Sequence, residues 1–383
     1  MGVTHLTGHC LEQIKSLPDG SVDLVATSPP FLALRNYNDL AGQWGAEGSP
    51  AGFLANLLDL AVELRRVLTP TGSIAIELGD TFSGSGGAGG DYCKGGVRDG
   101  QPKFKASARR DRQPIPRQNS GGKDWPLPKS LTGVPTLFGW SLAYGRNLLA
   151  PEQTLEPWRI RNMIVWARNN PPVGALGDKF RPSTSYITVA TPSDKRWFDL
   201  DAVSNSGPPK DYWTDECGGD MSWLVNSQGS KLAHYAMWPP ALAERLILAM
   251  CPKSVCKTCG EPRRRIVEVE PSPRKVKSTE RMGSPAGNGS HGNLTRIATT
   301  TGWTDCGHSD WRRGAVLDPF AGTGTTLAVA DIRERDAIGI DLDPENEGLY
   351  QRRYAECWRS LGRGGVSPIT EHGTQLDLLK GER

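Results

Sequence analysis

The stretch Val316-Leu317-Asp318-Pro319-Phe320-Ala321-Gly322-Thr323-Gly324-Thr325-Thr326 restricts the fold of this chain more than any other. A short apolar strand runs into a turn with two glycines one residue apart, and the turn runs into an apolar helix, Leu327-Ala328-Val329-Ala330. In such a strand, turn and helix the glycines let the backbone press against a nucleotide-like ligand. About twenty residues past the turn a second apolar strand, Ala337-Ile338-Gly339-Ile340, ends at Asp341, where an acid that holds ribose hydroxyls belongs. These elements make one half of a doubly wound, Rossmann-like α/β sheet. Thr325, Thr326 and Leu327 follow Gly324, so the third glycine of the dinucleotide fingerprint is missing and a nicotinamide or flavin ligand is disfavoured. The same turn also closes purely structural βα units, so a function needs a second motif.

With 383 residues the chain can bury a full core, and one large α/β domain with insertions is expected. A formal net charge of +3 does not announce a nucleic-acid partner, so charge has to be read locally. No apolar run approaches the roughly eighteen residues that span a membrane. The N-terminus Met1-Gly2-Val3-Thr4-His5-Leu6 lacks the basic and apolar regions of a signal peptide, and Leu6 disfavours myristoylation of Gly2. A cytoplasmic protein is expected. Its eight cysteines, several clustered near a histidine, then point to metal rather than disulfides.

Residues 1–81 carry a helical pattern at 11–17, a turn at Pro18-Asp19-Gly20-Ser21, and a strand at 22–27 that stops at Ser28-Pro29-Pro30-Phe31. Apolar residues at helical spacing follow from Phe53 to Leu68, halted by Pro70-Thr71-Gly72 before a strand at 73–78. Residues 82–129 read as a basic, flexible insertion with ten Lys and Arg against Asp91, Asp99, Asp111 and Asp124, a composition suited to a phosphate backbone. The core continues over 130–198, where 158–166 and 185–190 form two strands, or a helix and a strand. Residues 233–250 form a helix interrupted early by Pro239-Pro240. The segment 251–313 is a second insertion, with the cysteine cluster and a basic stretch from Arg263-Arg264-Arg265 to Arg281. The core closes over 314–358, and 359–383 is a polar tail expected to be poorly ordered.

Thr27-Ser28-Pro29-Pro30-Phe31, at the end of a strand, is the second constellation. The exocyclic amine of a nucleobase has its lone pair delocalised into the ring. To attack an electrophile it needs acceptors for both hydrogens, so that the nitrogen turns tetrahedral. Ser28 Oγ can be one acceptor, and the carbonyl of Pro29 the other, because proline fixes the backbone and offers no competing N–H. Phe31 gives a planar ring a face to stack on. No strong base is required, and most of the rate comes from positioning against a reactive methyl donor.

Thr27-Ser28-Pro29-Pro30-Phe31 resembles motif IV of the amino-group DNA methyltransferases, and Asp318 to Thr326 resembles their S-adenosylmethionine motif I. With the catalytic motif first and the cofactor motif last, the chain is similar to the circularly permuted beta group of phage and restriction-modification enzymes. Arg66-Val67-Leu68 to Gly79-Asp80-Thr81, Arg161-Asn162 to Trp166, Arg181 to Tyr186 and His234 to Ala249 resemble further family blocks. The resemblance implies a class I methyltransferase fold. Its catalytic half is 1–81, its target-recognition segment 199–232, its cofactor-closing helix 233–250, and its cofactor-binding half 314–358. It further implies that Phe320, Gly322, Gly324 and Thr325 line S-adenosylmethionine, that Asp341 holds the ribose, and that Asp318 orients the turn or approaches the methionine amine. Ser28, Pro29, Pro30 and Phe31 would receive a base flipped out of double-stranded DNA. Gly8-His9 stands where the family often has Gly-Asp. Ser before the prolines, with Phe31 after them, leans toward cytosine N4 over adenine N6. Alternatives are methylation of RNA or of a protein side-chain amide, and a non-catalytic zinc-knuckle DNA-binding protein with a relic core. A restriction endonuclease partner fits this family, as does a monomer or homodimer.

Cys256-Lys257-Thr258-Cys259-Gly260 is a zinc-knuckle pattern, and Cys306-Gly307-His308 can complete a Cys3His set, with Cys251 in reserve. The expected metal is a structural Zn2+ that staples a lobe whose arginines meet DNA phosphates. The remaining cysteines, Cys10, Cys93, Cys217 and Cys357, show no partner pattern.

Overall fold

The computed structural model describes residues 2–34, 40–84, 122, 124–170, 180–203, 223, 225–226, 238–271 and 296–362. Seven strands form one sheet, taken here in chain order. They are β1 (Val3–Thr7), β2 (Val22–Thr27), β3 (Leu68–Leu78), β4 (Arg159–Ala167), β5 (Thr184–Thr191), β10 (Ala315–Asp318) and β11 (Asp336–Asp341). Six helices accompany them: α1 (Cys10–Ile14), α2 (Pro50–Val67), α3 (Val134–Tyr144), α4 (Pro240–Met250), α5 (Thr325–Ile332) and α6 (Glu345–Ser360). Between α4 and β10 lie two small antiparallel pairs, β6 (Ser254–Cys256) with β9 (Trp311–Arg313) and β7 (Arg265–Pro271) with β8 (Arg296–Trp303).

The sheet order is β1-β11-β10-β2-β3-β5-β4. The first five strands run parallel, and β5 and β4 close the sheet as an antiparallel pair. From β10 the chain winds outward through β11, and from β2 it winds the other way through β3. The switch point of the doubly wound sheet therefore lies between β2 and β10, at whose carboxyl ends ligands bind. That junction has the shortest ladder in the sheet, with only Val316 opposite Leu24 and Leu317 opposite Val25.

Both faces of the sheet are covered, so its strands read as continuous apolar runs. Val25, Ile74, Ile76, Leu317 and Ile338 point to α1, α2 and α3, while their neighbours Leu24, Ala26, Ala75, Val316 and Ala337 point to α4, α5 and α6. Helix α2 shows why the sequence chooses a helix here. Ser49 caps it by accepting from Gly52 N at 3.2 Å, Pro50 starts it, and Phe53, Leu57, Leu60, Leu64 and Val67 bury one stripe.

Several sequence expectations shift in position. Residues 3–7 form an edge strand that the sequence did not announce. Both segments flanking Asn169-Asn170 are strands, paired from Arg159–Thr191 to Ala167–Thr184. Pro70 does not separate helix from strand, because α2 ends at Val67 and β3 already begins at Leu68; an irregularity between Val22 and Leu24 absorbs the proline. The helix expected over 233–250 begins at Pro240, with Pro239 at its N-cap, since proline suits the first turn and not the interior. Residues 233–237, with His234, lie outside the described residues, as do 85–121, most of 199–232, 272–295 and the tail beyond Gly362. Among the described residues no helix is long and apolar enough to cross a membrane.

Leu57 is fully buried, whereas Val62 on the same helix is 50% exposed. Thermal or urea unfolding should show Leu57→Ala losing about 3 kcal/mol and Val62→Ala staying within about 0.5 kcal/mol. Equal effects would contradict the packing face assigned to α2.

Candidate active site

One carboxylate joins the two strands of the switch point at their carboxyl ends. Asp318 is 3% exposed. It accepts from Thr27 Oγ1 on β2 at 2.5 Å, from Thr326 Oγ1 on α5 at 2.6 Å, and from Phe320 N at 3.1 Å. Burial pushes its carboxyl up to about 6, although the two threonine hydroxyls and the Phe320 N–H pull it down. Thr326 Oγ1 also accepts from Trp238 Nε1 at 3.2 Å, so the residue leading into α4 is tied to the same point. Asp318 thus has its acceptors turned into the protein, and of the two roles expected for it the geometry favours orienting the turn.

The glycine turn sits directly above. Gly322 and Gly324 have φ of +53° and +84°, in the left-handed region that favours glycine. A Cβ on Gly324 would lie 2.7 Å from the ring of Tyr350, so α6 covers the turn from behind. Asp341, half-buried at the end of β11, accepts from Gly322 N at 2.7 Å, Asp343 N at 2.9 Å and Asn346 Nδ2 at 2.9 Å. Three donors leave acceptor capacity on a carboxylate with about four lone-pair positions. Thr325, which the sequence placed against the ligand, is buried, and its hydroxyl accepts from Arg353 Nε at 2.8 Å, which ties α6 to α5. Phe320 is half-buried, and the buried Trp44 lies against it with ring centres 4.9 Å apart. Trp44 Nε1 donates to His9 Nε2 at 3.2 Å, which leaves the neutral imidazole its proton on Nδ1.

On the other side of the junction, Thr27 leads into Ser28-Pro29-Pro30-Phe31. The backbone here is held by Ala33 N to Gly45 O at 2.8 Å and by Thr81 Oγ1 to Leu32 O at 2.7 Å. The Phe31 ring lies against Gly79, where a Cβ would fall 2.5 Å from it, so a glycine ends β3 because the ring takes the space. Ser28 Oγ donates to Glu77 Oε2 at 2.5 Å. Glu77 is fully buried in β3; burial drives its carboxyl above the usual range, against the pull of Ser185, Ser28 and Arg168. Sequence reasoning missed Glu77. The available signal was an acid inside the apolar run Ser73 to Leu78, where a carboxylate needs a reason to be buried.

The two insertions leave from opposite edges. The basic one departs after β3, at the catalytic edge. There Asp80 accepts from Thr132 Oγ1 at 2.5 Å and Gly133 N at 3.0 Å, and Ser83 N donates to Ser130 O at 2.8 Å. The cysteine lobe departs after α4, at the edge where the parallel strands begin. Cys256, Cys259, Cys306 and His308 offer ligand atoms that all lie within 4.8 Å of one another. Burial raises the Cys256 thiol, but hydrogen bonds to the backbone of Cys259 and Thr258 and to Cys259 and Cys306 outweigh this and bring it down to about 6. Cys251 is not in the cluster; it is fully buried, with Sγ 3.7 Å from Pro252 O. Three of the lobe's arginines lie beside acids. Arg263 lies 3.7 Å from Asp305 and stacks over Trp311, Arg264 lies 3.9 Å from Glu261, and Arg265 lies 2.9 Å from Asp199.

Comparison with known proteins agrees with this geometry. The family model for N6/N4 methylases, described as DNA methylase, matches residues 22–256 and 308–351, passing over most of the cysteine lobe. The type II methyltransferase M.SmaI of Serratia marcescens is 26% identical over 348 residues, 91% of this chain and 89% of that one. M.XycI of Xanthomonas campestris pv. cyanopsidis, another type II methyltransferase, is 29% identical over 90% of this chain and 85% of its own. Among solved structures, the PvuII DNA methyltransferase (cytosine-N4-specific) shares the fold, with a TM-score of 0.52, 14% identity, and coverage of 95% of this chain and 92% of that one. A fold with its switch point between a Ser-Pro-Pro-Phe strand and a glycine-turn strand, matched by the family model over both, makes this chain a member of the N6/N4 DNA methylase family.

Proposed function

We propose that the protein transfers a methyl group from S-adenosylmethionine to the exocyclic N4 amine of cytosine in double-stranded DNA, with the base flipped out of the helix. The observation that carries this is the hydrogen bond from Ser28 to Glu77. Because the hydroxyl proton is committed to a buried carboxylate, the Ser28 oxygen faces the substrate as an acceptor. An amine hydrogen of the base occupies that acceptor and the Pro29 carbonyl takes the other, while Phe31 stacks on the ring. S-adenosylmethionine, held at the glycine turn, would supply an electrophilic methyl group that leaves its sulfur as the nitrogen–methyl bond forms. The nitrogen then carries one proton too many. That proton passes to Ser28 Oγ as the serine proton passes to Glu77, whose raised affinity for a proton suits it to the task.

Phe320, Gly322, Gly324 and Asp341 hold the cofactor in this scheme, with Asp341 accepting from the ribose hydroxyls. Asp318 and Thr325 position the turn. The basic insertion, rooted at the catalytic edge, follows the DNA backbone. Cys256, Cys259, Cys306 and His308 hold a structural Zn2+, the convergence of three sulfurs and an imidazole being the donor set that zinc prefers. Cytosine is favoured over adenine by the serine and phenylalanine that flank the two prolines. Since the relatives are type II methyltransferases, a cognate restriction endonuclease is the expected partner.

Nucleoside mass spectrometry of DNA incubated with the protein and labelled S-adenosylmethionine tests the assignment. N4-methylcytosine is expected, with the rate cut by roughly 10²- to 10⁴-fold in Ser28→Ala and by about 10²-fold in Glu77→Gln. N6-methyladenine would keep the mechanism and overturn the substrate. No methylated nucleoside would overturn the function.

The pH dependence separates chemistry from unfolding. Glu77 must be ionised to accept, so the rate falls as pH drops through its raised folded value, above the ordinary Glu range. An acid whose folded pKa is raised binds its proton more tightly when folded, so between the folded and unfolded values its contribution to stability grows as pH falls. The same holds for Asp318 between about 6 and 3.8. The acid limb of the rate should therefore appear without a matching fall in melting temperature and should flatten in Glu77→Gln. A limb that tracks unfolding would remove Glu77 from the mechanism.

A further inference from the structure

The cysteine lobe is fastened at a point that bears on the active site from behind. Asp23 is the second residue of β2, is 2% exposed, and is the mirror of Asp318 at the other end of the same junction. It accepts from Ala315 N, the first residue of β10, at 2.8 Å, and from Thr69 Oγ1 on β3 at 3.3 Å. Its remaining partner comes from the lobe: Arg312 on β9 donates Nη1 to Asp23 Oδ2 at 2.5 Å and Nη2 to Oδ1 at 3.1 Å. On the β6–β9 ladder Arg312 lies opposite Val255, one residue before the ligand Cys256, which faces Trp311. Further fastenings among the described residues lie along the same edge. Arg335 donates to Cys251 O at 3.0 Å, Trp197 Nε1 to Arg263 O at 2.9 Å, and Trp197 N to Thr71 O at 2.9 Å.

We infer that the metal lobe is a clamp on the β2–β10 junction: with Zn2+ held by Cys256, Cys259, Cys306 and His308, β9 presents Arg312 to Asp23 and fixes the two strands that carry the catalytic and cofactor motifs. This rests on the zinc assignment proposed above. The backbone ladder registers this junction by only two residue pairs, so its alignment rests on the side chains at its two ends, Asp318 and Asp23. Asp23 to Ser28 spans five residues of strand, about 17 Å at 3.3 Å per residue. The lobe therefore sits across the sheet from the base-binding edge, and of its described arginines Arg263, Arg264, Arg265 and Arg312 each lie beside an acid. It acts on the active site through the strands, and DNA is read elsewhere.

Metal content, melting temperature, S-adenosylhomocysteine affinity and the salt dependence of DNA binding are measured on the full chain, before and after chelation and in Cys259→Ser. One zinc per chain is expected. Its loss should lower the melting temperature by about 5 °C and weaken S-adenosylhomocysteine binding about ten-fold. The salt slope and the methylated sequence should not change. In the double variant Asp23→Asn with Arg312→Met, which leaves no orphaned charge, zinc should still bind, but its removal should no longer alter cofactor affinity. If that variant is too unstable to purify, Arg312→Lys, which keeps the charge and loses the paired geometry, should show an intermediate coupling. Absence of zinc would overturn the metal site and the clamp with it. Zinc whose removal changes neither melting temperature nor cofactor affinity would overturn the clamp alone. A reduced salt slope or altered target sequence with unchanged melting temperature would make the lobe a DNA contact instead.

Discussion

The carboxylate of Asp318 is the interaction on which the site depends. It is an acid in a place without water, kept there by two hydroxyls and one N–H that leave it little reason to be anywhere else. Each donor comes from a different element: β2, the start of α5, and the turn between β10 and α5. A buried carboxylate with fixed donors is strongly geometric, since losing one donor leaves a desolvated charge without compensation. Thr27 therefore stays level with the glycine turn, and the Ser-Pro-Pro-Phe exit that follows it stays beside that turn. The spacing of the two motifs is set by one side chain, although they are separated by most of the sequence.

The same pair of strands is bridged again at its other end by Asp23, and the two bridges differ in what they reach. Asp318 draws together parts of the catalytic edge alone. Asp23 reaches out of the core to Arg312, so a guanidinium from an insertion completes a bond inside the sheet. Burial works against Arg312 and pairing with Asp23 outweighs it, with the net effect that its pKa is raised. An exposed ion pair would contribute little, but here the acid is nearly inaccessible, and the geometry is the two-pronged one that only arginine offers.

Much of this was legible in the sequence, for a physical reason: motifs that hold a ligand with backbone have to be written in glycine and proline, which leave a local signature. The Gly322-Thr323-Gly324 turn and the Ser28-Pro29-Pro30 exit are of that kind, and the cysteine spacing is another. What could not be read was whatever depends on side chains meeting across the sheet. Glu77 meets Ser28 only because β3 lies beside β2, and Asp23 meets Arg312 only because a lobe 289 residues later folds back. That the Thr325 hydroxyl accepts from Arg353 also depends on how α6 packs over α5, which no local pattern announces. Position along the chain likewise could not tell that the two basic insertions leave from opposite edges.

The difference between the edges also explains why one insertion carries a metal pattern and the other does not. Strands β6 and β9 are three residues long, and a two-stranded ladder of that size is not stable in water by itself. Within these two strands only Val255 and Cys256 are buried, too little apolar surface to compensate. Cys256, Cys259, Cys306 and His308 converge where a cross-link would hold β9, and Arg312 with it, in place. The basic insertion, by contrast, is rooted in a neck tied by Asp80, Thr132 and Ser83, and its sequence carries Cys93 alone, with no second cysteine at knuckle spacing.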